Sequence, residues 1–205
     1  VPTDKIRAIG SSHLRRPSSL PIKPGAARVV IGTRSWGGMW TNFCSRHDAY
    51  DTELRMLIQG VLKDSAHELV IKSHPNGDYH EYYDLLVRLF SSSRLKHVPK
   101  GWKVEQFADV TDILVCVGEM PSLYIAALYL KIPIVFITGT MTKTQAKLHY
   151  DYAGLGSVVA TGAQAALEIE RIATDPHYCA QVMRKQNEMA RRYDLADPEK
   201  KILEL

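Results

Sequence analysis

The chain has 205 residues, 45% of them hydrophobic and 23% charged, with a formal net charge of +4. This is the composition of an ordinary soluble globular protein, long enough to bury the core of one domain or two small ones. The mild positive charge suits an anionic small ligand and gives no nucleic-acid footprint, and no apolar run approaches the ~20 residues of a membrane span.

No signal peptide is visible. The three cysteines, Cys44, Cys116 and Cys179, are far apart and odd in number. They imply a reducing, cytoplasmic compartment and no disulfide framework. Cys116 falls inside an apolar run and is expected to be a buried thiol. His47 and Asp48 near Cys44 form the one local cluster of ligand types, at a spacing that matches no zinc pattern. No metal is expected.

In chain order, residues 1–27 carry four prolines and several Ser, Gly and basic residues. KIRAIG there is a candidate short strand, and the rest reads as a hinge or linker. ARVVIG (27–32) is an apolar run ending in Gly. Residues 49–63 have helical spacing, with Leu54, Leu57, Ile58, Val61 and Leu62 on one face. HELVIK (67–72) is the next strand. Residues 78–90 form a helix whose spacing turns Tyr82, Leu85, Leu86 and Leu89 inward. LKHVP (95–99) is a weak strand, 104–110 a short helix, and DILVCVG (112–118) a clear strand. A helix over 121–131 has Pro in its first turn, where the missing N–H does no harm. IPIVFIT (132–138) is a strand. A helix near 142–152, a short strand GSVVA, and helices over 162–174 and 176–193 complete the chain, leaving 194–205 as a charged tail.

Strands alternate with helices throughout, and several strands are continuous apolar runs. That is the pattern of a parallel sheet covered on both faces. The expected fold is a doubly wound, Rossmann-like α/β domain over 28–193, with about six strands and right-handed crossovers.

In such sheets ligands bind beyond the carboxyl ends of the strands, near the switch in strand order. The polar clusters lie at those ends: GTRSWGG (32–38), KSHPNG (72–77), GEMPS (118–122) and TGTMTK (138–143). Their chemistry favours an anion. Helix N-termini offer free N–H groups and partial positive charge. Ser122 adds a hydroxyl at a helix start, Thr33, Arg34, Ser35 and Gly37 form a donor-rich loop, and Lys72 and His74 add charge from the side. The site expected is one for a diphosphate, with a base and a sugar to either side. Taken singly, each residue has a plainer reading. GTRSWGG is neither a Walker loop nor GxGxxG. Lys72, His74 and Glu119 read as solvated side chains, and Ser122 as a helix-start hydroxyl. Their shared edge is what joins them.

The order HELVIKSHP, then VEQFADVTDILVCVGEMPSLYIAALYLKIPIVFI, resembles the C-terminal half of GT-B glycosyltransferases. Their relatives include glycerophosphotransferase-type capsule and teichoic-acid polymerases and UDP-GlcNAc 2-epimerases. The resemblance rests on Lys72-Ser73-His74-Pro75, Ala108 to Val117, Glu119 to Ser122, and Lys131-Ile132-Pro133. It covers most of residues 5–193, and KIRAIGSSHLRR is similar to the hinge between the two GT-B domains. It implies a domain that binds a nucleotide-activated sugar donor, with Ser122 at phosphate and His74 near the diphosphate. The backbone around Trp102, Lys103 and Val104 would border the base. It implies that the acceptor site, and any general base, belong to an N-terminal domain ending near Val1, and that no cofactor is needed. Membrane association would come through other parts of the protein. The chain departs from the pattern at Ala126, where relatives often carry an acid, and at Glu119-Met-Pro-Ser122, where phosphotransferases show Asp-x-Ser-Ser. The departures leave two alternatives: a non-catalytic assembly or regulatory module, or a phosphotransferase or epimerase on the same scaffold.

Overall fold

The computed structural model describes residues 26–33, 47–74, 80–98, 109–118, 123–141 and 154–192. Among them the elements run β1 (Arg28–Gly32), α1 (His47–Asp64), β2 (Glu68–Lys72), α2 (His80–Phe90), β3 (Leu95–Val98) and β4 (Ile113–Val117). The order continues with α3 (Leu123–Tyr129), β5 (Ile134–Ile137), β6 (Ser157–Val159), α4 (Gly162–Thr174) and α5 (Pro176–Arg192). The hinge expected over 1–27, apart from its last two residues, and the tail over 194–205 lie outside the described residues. So do the helix expected over 142–152 and all but the last two residues of the one expected over 104–110.

The six strands form one sheet in the order β3-β2-β1-β4-β5-β6. Every pairing is parallel. The order reverses between β1 and β4, so β1 sends the chain one way across the sheet and β4 sends it the other. Parallel strands are buried on both faces, which is why ILVCV and IVFI are apolar without alternation.

Successive side chains of a strand point to opposite faces, and the core divides accordingly. Val29, Ile31, Ile71, Ile113 and Val115 pack with α1, α2 and α4 on one face. Val30, Val70, Leu114, Cys116 and Phe136 pack with α3 and the end of α5 on the other. The Cys116 thiol is fully buried, and burial pushes its pKa far up. It is an inert core group.

The helix ends are tied by side chains. Thr161 caps α4 in a capping box with Gln164. The Arg94 guanidinium donates to the carbonyls of Leu62, Ser65 and His67 at the end of α1. Gln186 of α5 is fully buried; it accepts from the Ile134 N–H at 3.0 Å and donates to the Ile132 carbonyl at 2.6 Å. That amide holds the entry of β5, next to Pro133, which has no N–H to donate. At the opposite end from the strand tips, His67 Nδ1 accepts from the Ala27 N–H at 2.9 Å, and Nε2 lies 2.9 Å from Glu170 Oε2. Burial lowers the His67 pKa despite that carboxylate.

The inward face expected of α2 is corrected. Tyr83 and Leu86 enter the core, whereas Leu85 and Leu89 remain 43% and 57% exposed. Tyr82 is half-buried and donates to Asp51 on α1. The helix carries apolar residues around most of its girth, HEYYDLLVRLF, so its periodicity leaves the rotation open. Packing of Tyr83 and Leu86 into the core beside Leu95 of β3 decides it.

Candidate anion site at the strand ends

The strand register fixes one rim. Gly32 is level with Lys72 and with Cys116, Lys72 with Val98, and Val117 with Ile137. Just beyond, the ladder continues: Thr33 N–H donates to Lys72 O, Ser73 N–H to Val98 O, Gly118 N–H to Ile137 O, and Thr138 N–H to Val159 O. Thr33, Lys72, His74, Gly118 and the 138–140 turn therefore share the carboxyl edge of the sheet, at the switch point where ligands bind in this architecture.

Thr33 is buried, and its Oγ1 accepts from the His74 N–H at 2.9 Å, tying the end of β1 to the end of β2. Lys72 is 4% exposed. Its Nζ donates to the Ser73 carbonyl at 2.7 Å, and among the described residues no carboxylate lies against it. Burial lowers its pKa from the ordinary 10.5. Burial, and then the nearby Lys72 charge, lower that of His74. Lys72 is thus not the solvated side chain of the plainer reading, and His74 is half-buried. Among the described residues that ammonium, removed from water, has one neutral carbonyl as its partner, a costly arrangement that an anion would relieve.

Two features of the rim escape sequence reasoning. Gly118 ends β4 with φ +70, and a Cβ placed on it would meet Thr140 Oγ1 at 1.8 Å. Glycine permits both the left-handed turn and the close approach. Among the described residues the buried Thr140 hydroxyl has no hydrogen-bond partner. The second feature is a side-chain chain: Ser73 Oγ lies 2.6 Å from His97 Nε2, and His97 Nδ1 lies 2.7 Å from Asp84 Oδ1. Its signal would have been the pairing of β2 with β3, which sets KSH beside LKHV.

Of the residues expected at the site, Thr33, Lys72 and His74 are brought together. Arg34, Ser35, Glu119, Ser122, Trp102, Lys103 and Val104 lie outside the described residues. Ala126, the departure from the family pattern, is half-buried on α3 against the second core cluster. A separate groove of about 420 Å³ runs between α1 and α4, lined by Met56, Gly60, Ala166, Leu167 and Glu170 among others, and holds none of these residues.

No family model matches the sequence, and no curated protein does. Solved structures match in fold. The wall teichoic acid polymerase TagF, in a crystal soaked with CDPG, aligns over 98% of this chain and 43% of its own, at 15% identity and a TM-score of 0.56. The pneumococcal O-GlcNAc transferase GtfA, in complex with UDP and GlcNAc, aligns over 91% of this chain and 37% of its own, at 12% identity and 0.55. A UDP-GlcNAc 2-epimerase from Neisseria meningitidis, bound to UDP-GlcNAc, aligns over 98% and 50%, at 14% identity and 0.51. The chain spans half or less of the length of these proteins. Among the described residues no helix is long and apolar enough to cross a membrane. The likeness is one of architecture: this chain has the six-stranded, Rossmann-like fold found in GT-B glycosyltransferases and their epimerase relatives.

Proposed function

We propose that this chain is the nucleotide-sugar donor-binding domain of a GT-B-type glycosyltransferase. A sugar would pass from a nucleotide-activated donor to an acceptor held by an N-terminal domain. The observation that carries this reading is the buried Lys72 ammonium, beside His74 at the switch point, with no carboxylate against it among the described residues. A donor diphosphate is the ligand whose charge that arrangement lacks. Departure of the nucleotide leaves negative charge on the diphosphate, and preorganised cations and N–H groups stabilise such charge as it develops. Lys72 and His74 would serve there with Thr33, Arg34, Ser35 and Ser122, Glu119 would contact the donor through its backbone, and the backbone of Trp102 to Val104 would border the base. This chemistry needs no metal. The domain would extend over 28–193, with 1–27 as hinge.

Titration calorimetry of the folded chain with UDP, CDP, GDP and CMP tests this reading. Binding of at least one diphosphate, weaker for CMP, is expected; no heat with any of the four overturns it.

Ala126, apolar where relatives often carry an acid, favours a second reading: a non-catalytic module, or a phosphotransferase or epimerase on the same scaffold. Product analysis with a labelled donor, using the full-length protein, separates sugar transfer from epimerised or phosphoryl-transferred product. Absence of any product favours the module.

A further inference from the structure

Ser73 is held at every polar atom it has. Its N–H donates to Val98 O at 3.2 Å, its carbonyl accepts from Lys72 Nζ at 2.7 Å, and its Oγ meets His97 Nε2 at 2.6 Å. The His97 side chain is 4% exposed, and its ring lies 5.7 Å from that of His80 and 5.6 Å from that of Tyr83. Its Nδ1 faces Asp84 Oδ1 at 2.7 Å from the surface side, the carboxylate being 59% exposed. A carboxylate only accepts, so Nδ1 carries a proton. In the neutral imidazole Nε2 is then an acceptor and takes the Ser73 O–H. With the ring in that form, donation runs from Ser73 through His97 to Asp84.

Ser, His and Asp in this order form the constellation of a nucleophilic triad. Here Ser73 is 2% exposed, so its hydroxyl is not placed to attack a substrate. What it can do is hold its own backbone. Ser73 lies between Lys72 and His74 of the rim, and the peptide groups on either side of it carry those two side chains. The neighbouring anchors, Thr33 N–H to Lys72 O and His74 N–H to Thr33 Oγ1, come from β1. The His97 contact is the side-chain anchor from β3.

We propose that Asp84, His97 and Ser73 form a positioning relay that sets the Lys72–Ser73–His74 segment for the diphosphate of a nucleotide ligand. The inference rests on the donor-binding reading above, and it makes His97 a positioning residue rather than a catalytic one. The relay selects for phosphate and leaves the nucleoside alone, because its end point is the strand tip that carries the Lys72 ammonium and the His74 side chain.

The test uses the whole 205-residue chain and whichever of UDP, CDP and GDP it binds, with the matching nucleoside as control. His97→Leu should weaken the diphosphate about 10-fold, roughly 1.4 kcal/mol, and leave the nucleoside unchanged. His97→Gln, which restores an acceptor towards Ser73, should recover most of that loss. Ser73→Ala should match His97→Leu, and the double variant should lose no more than either alone, since both remove one contact. Asp84→Leu, at an exposed position, should weaken the diphosphate several-fold even if the core variant fails to fold. Folded variants that bind the diphosphate like the wild type overturn the relay. So does a parallel loss of diphosphate and nucleoside that tracks a fall in melting temperature, because that is general destabilisation. A folded wild-type chain that binds no diphosphate overturns the donor-binding reading itself, a result distinct from both.

Discussion

Replacing Lys72 with Met should make the protein more stable and less able to bind a nucleotide. The side chain is 4% exposed, and its ammonium has the Ser73 carbonyl as its hydrogen-bond partner. Taking an ammonium out of water costs several kcal/mol even after relaxation, and a charged hydrogen bond to a carbonyl returns roughly 1.5–3 kcal/mol. Methionine fills a similar volume and has no charge to desolvate. The Ser73 carbonyl loses a partner, which trims the gain, and a net stabilisation of about 1 kcal/mol is expected. In a domain of this size that raises the melting temperature by about 2–4 °C. The sign with pH provides a second check. The folded pKa of Lys72 lies below its ordinary 10.5, so the unfolded chain holds the proton more tightly. The penalty is complete below the folded pKa and fades as pH rises towards 10.5. The advantage of Lys72→Met over the wild type should therefore shrink between pH 7 and pH 10. Diphosphate affinity should fall by roughly 10- to 100-fold, the worth of one charged hydrogen bond. Thermal unfolding and calorimetry read the two effects separately. A variant that melts several degrees lower and binds nucleotide unchanged would refute the reasoning, because Lys72 would then be a structural pin.

Other outcomes follow from the same structure. Gln186→Leu strips partners from the Ile134 N–H and the Ile132 carbonyl; a loss of about 2–5 kcal/mol is expected in urea unfolding, and a loss under about 1 kcal/mol would show that the site relaxes. Gly118→Ala forces a Cβ against Thr140 Oγ1 at a φ of +70. It should destabilise by about 2–4 kcal/mol, and adding Thr140→Ala should restore only part, because the backbone strain stays. His67 and His74 both have lowered pKa values, with burial as the larger cause. Stability should hold above about pH 7 and fall as acidification passes the ordinary 6.5 towards the lower folded values. His67→Asn, which keeps an acceptor for the Ala27 N–H, should flatten that fall when the urea midpoint is followed from pH 7.5 to 5.

The sheet was legible because its strands need no partner to declare themselves. ILVCV and IVFI are too short for helices and too apolar for loops, and the structure places strands at both. Their ends were legible too, since a change from apolar to polar residues marks where a strand leaves the core, as at Lys72-Ser73-His74. The rotation of α2 was not legible: Leu85 and Leu86 are equally apolar, and the rest of the core chooses between them. The relay was hidden for a related reason. Ser73, Asp84 and His97 belong to three elements, and nothing in the spacing joins them until β2 and β3 pair in the register that sets Lys72 beside Val98. The burial of Lys72 was hidden as well, because a lysine after an apolar run reads as the point where the chain reaches water.

Pairing of β1 with β4 has a consequence for when the molecule becomes competent. Val29 meets Ile113 across a long intervening stretch of chain, and contacts so remote in sequence form slowly. A polypeptide cut short before β4 would possess Thr33, Lys72 and His74 yet lack the wall opposite them, including Gly118 and the turn around Thr140. On the donor-binding reading, nascent or proteolysed forms of that kind should be blind to nucleotide, and ligand recognition would then double as a report that the middle of the sheet has closed.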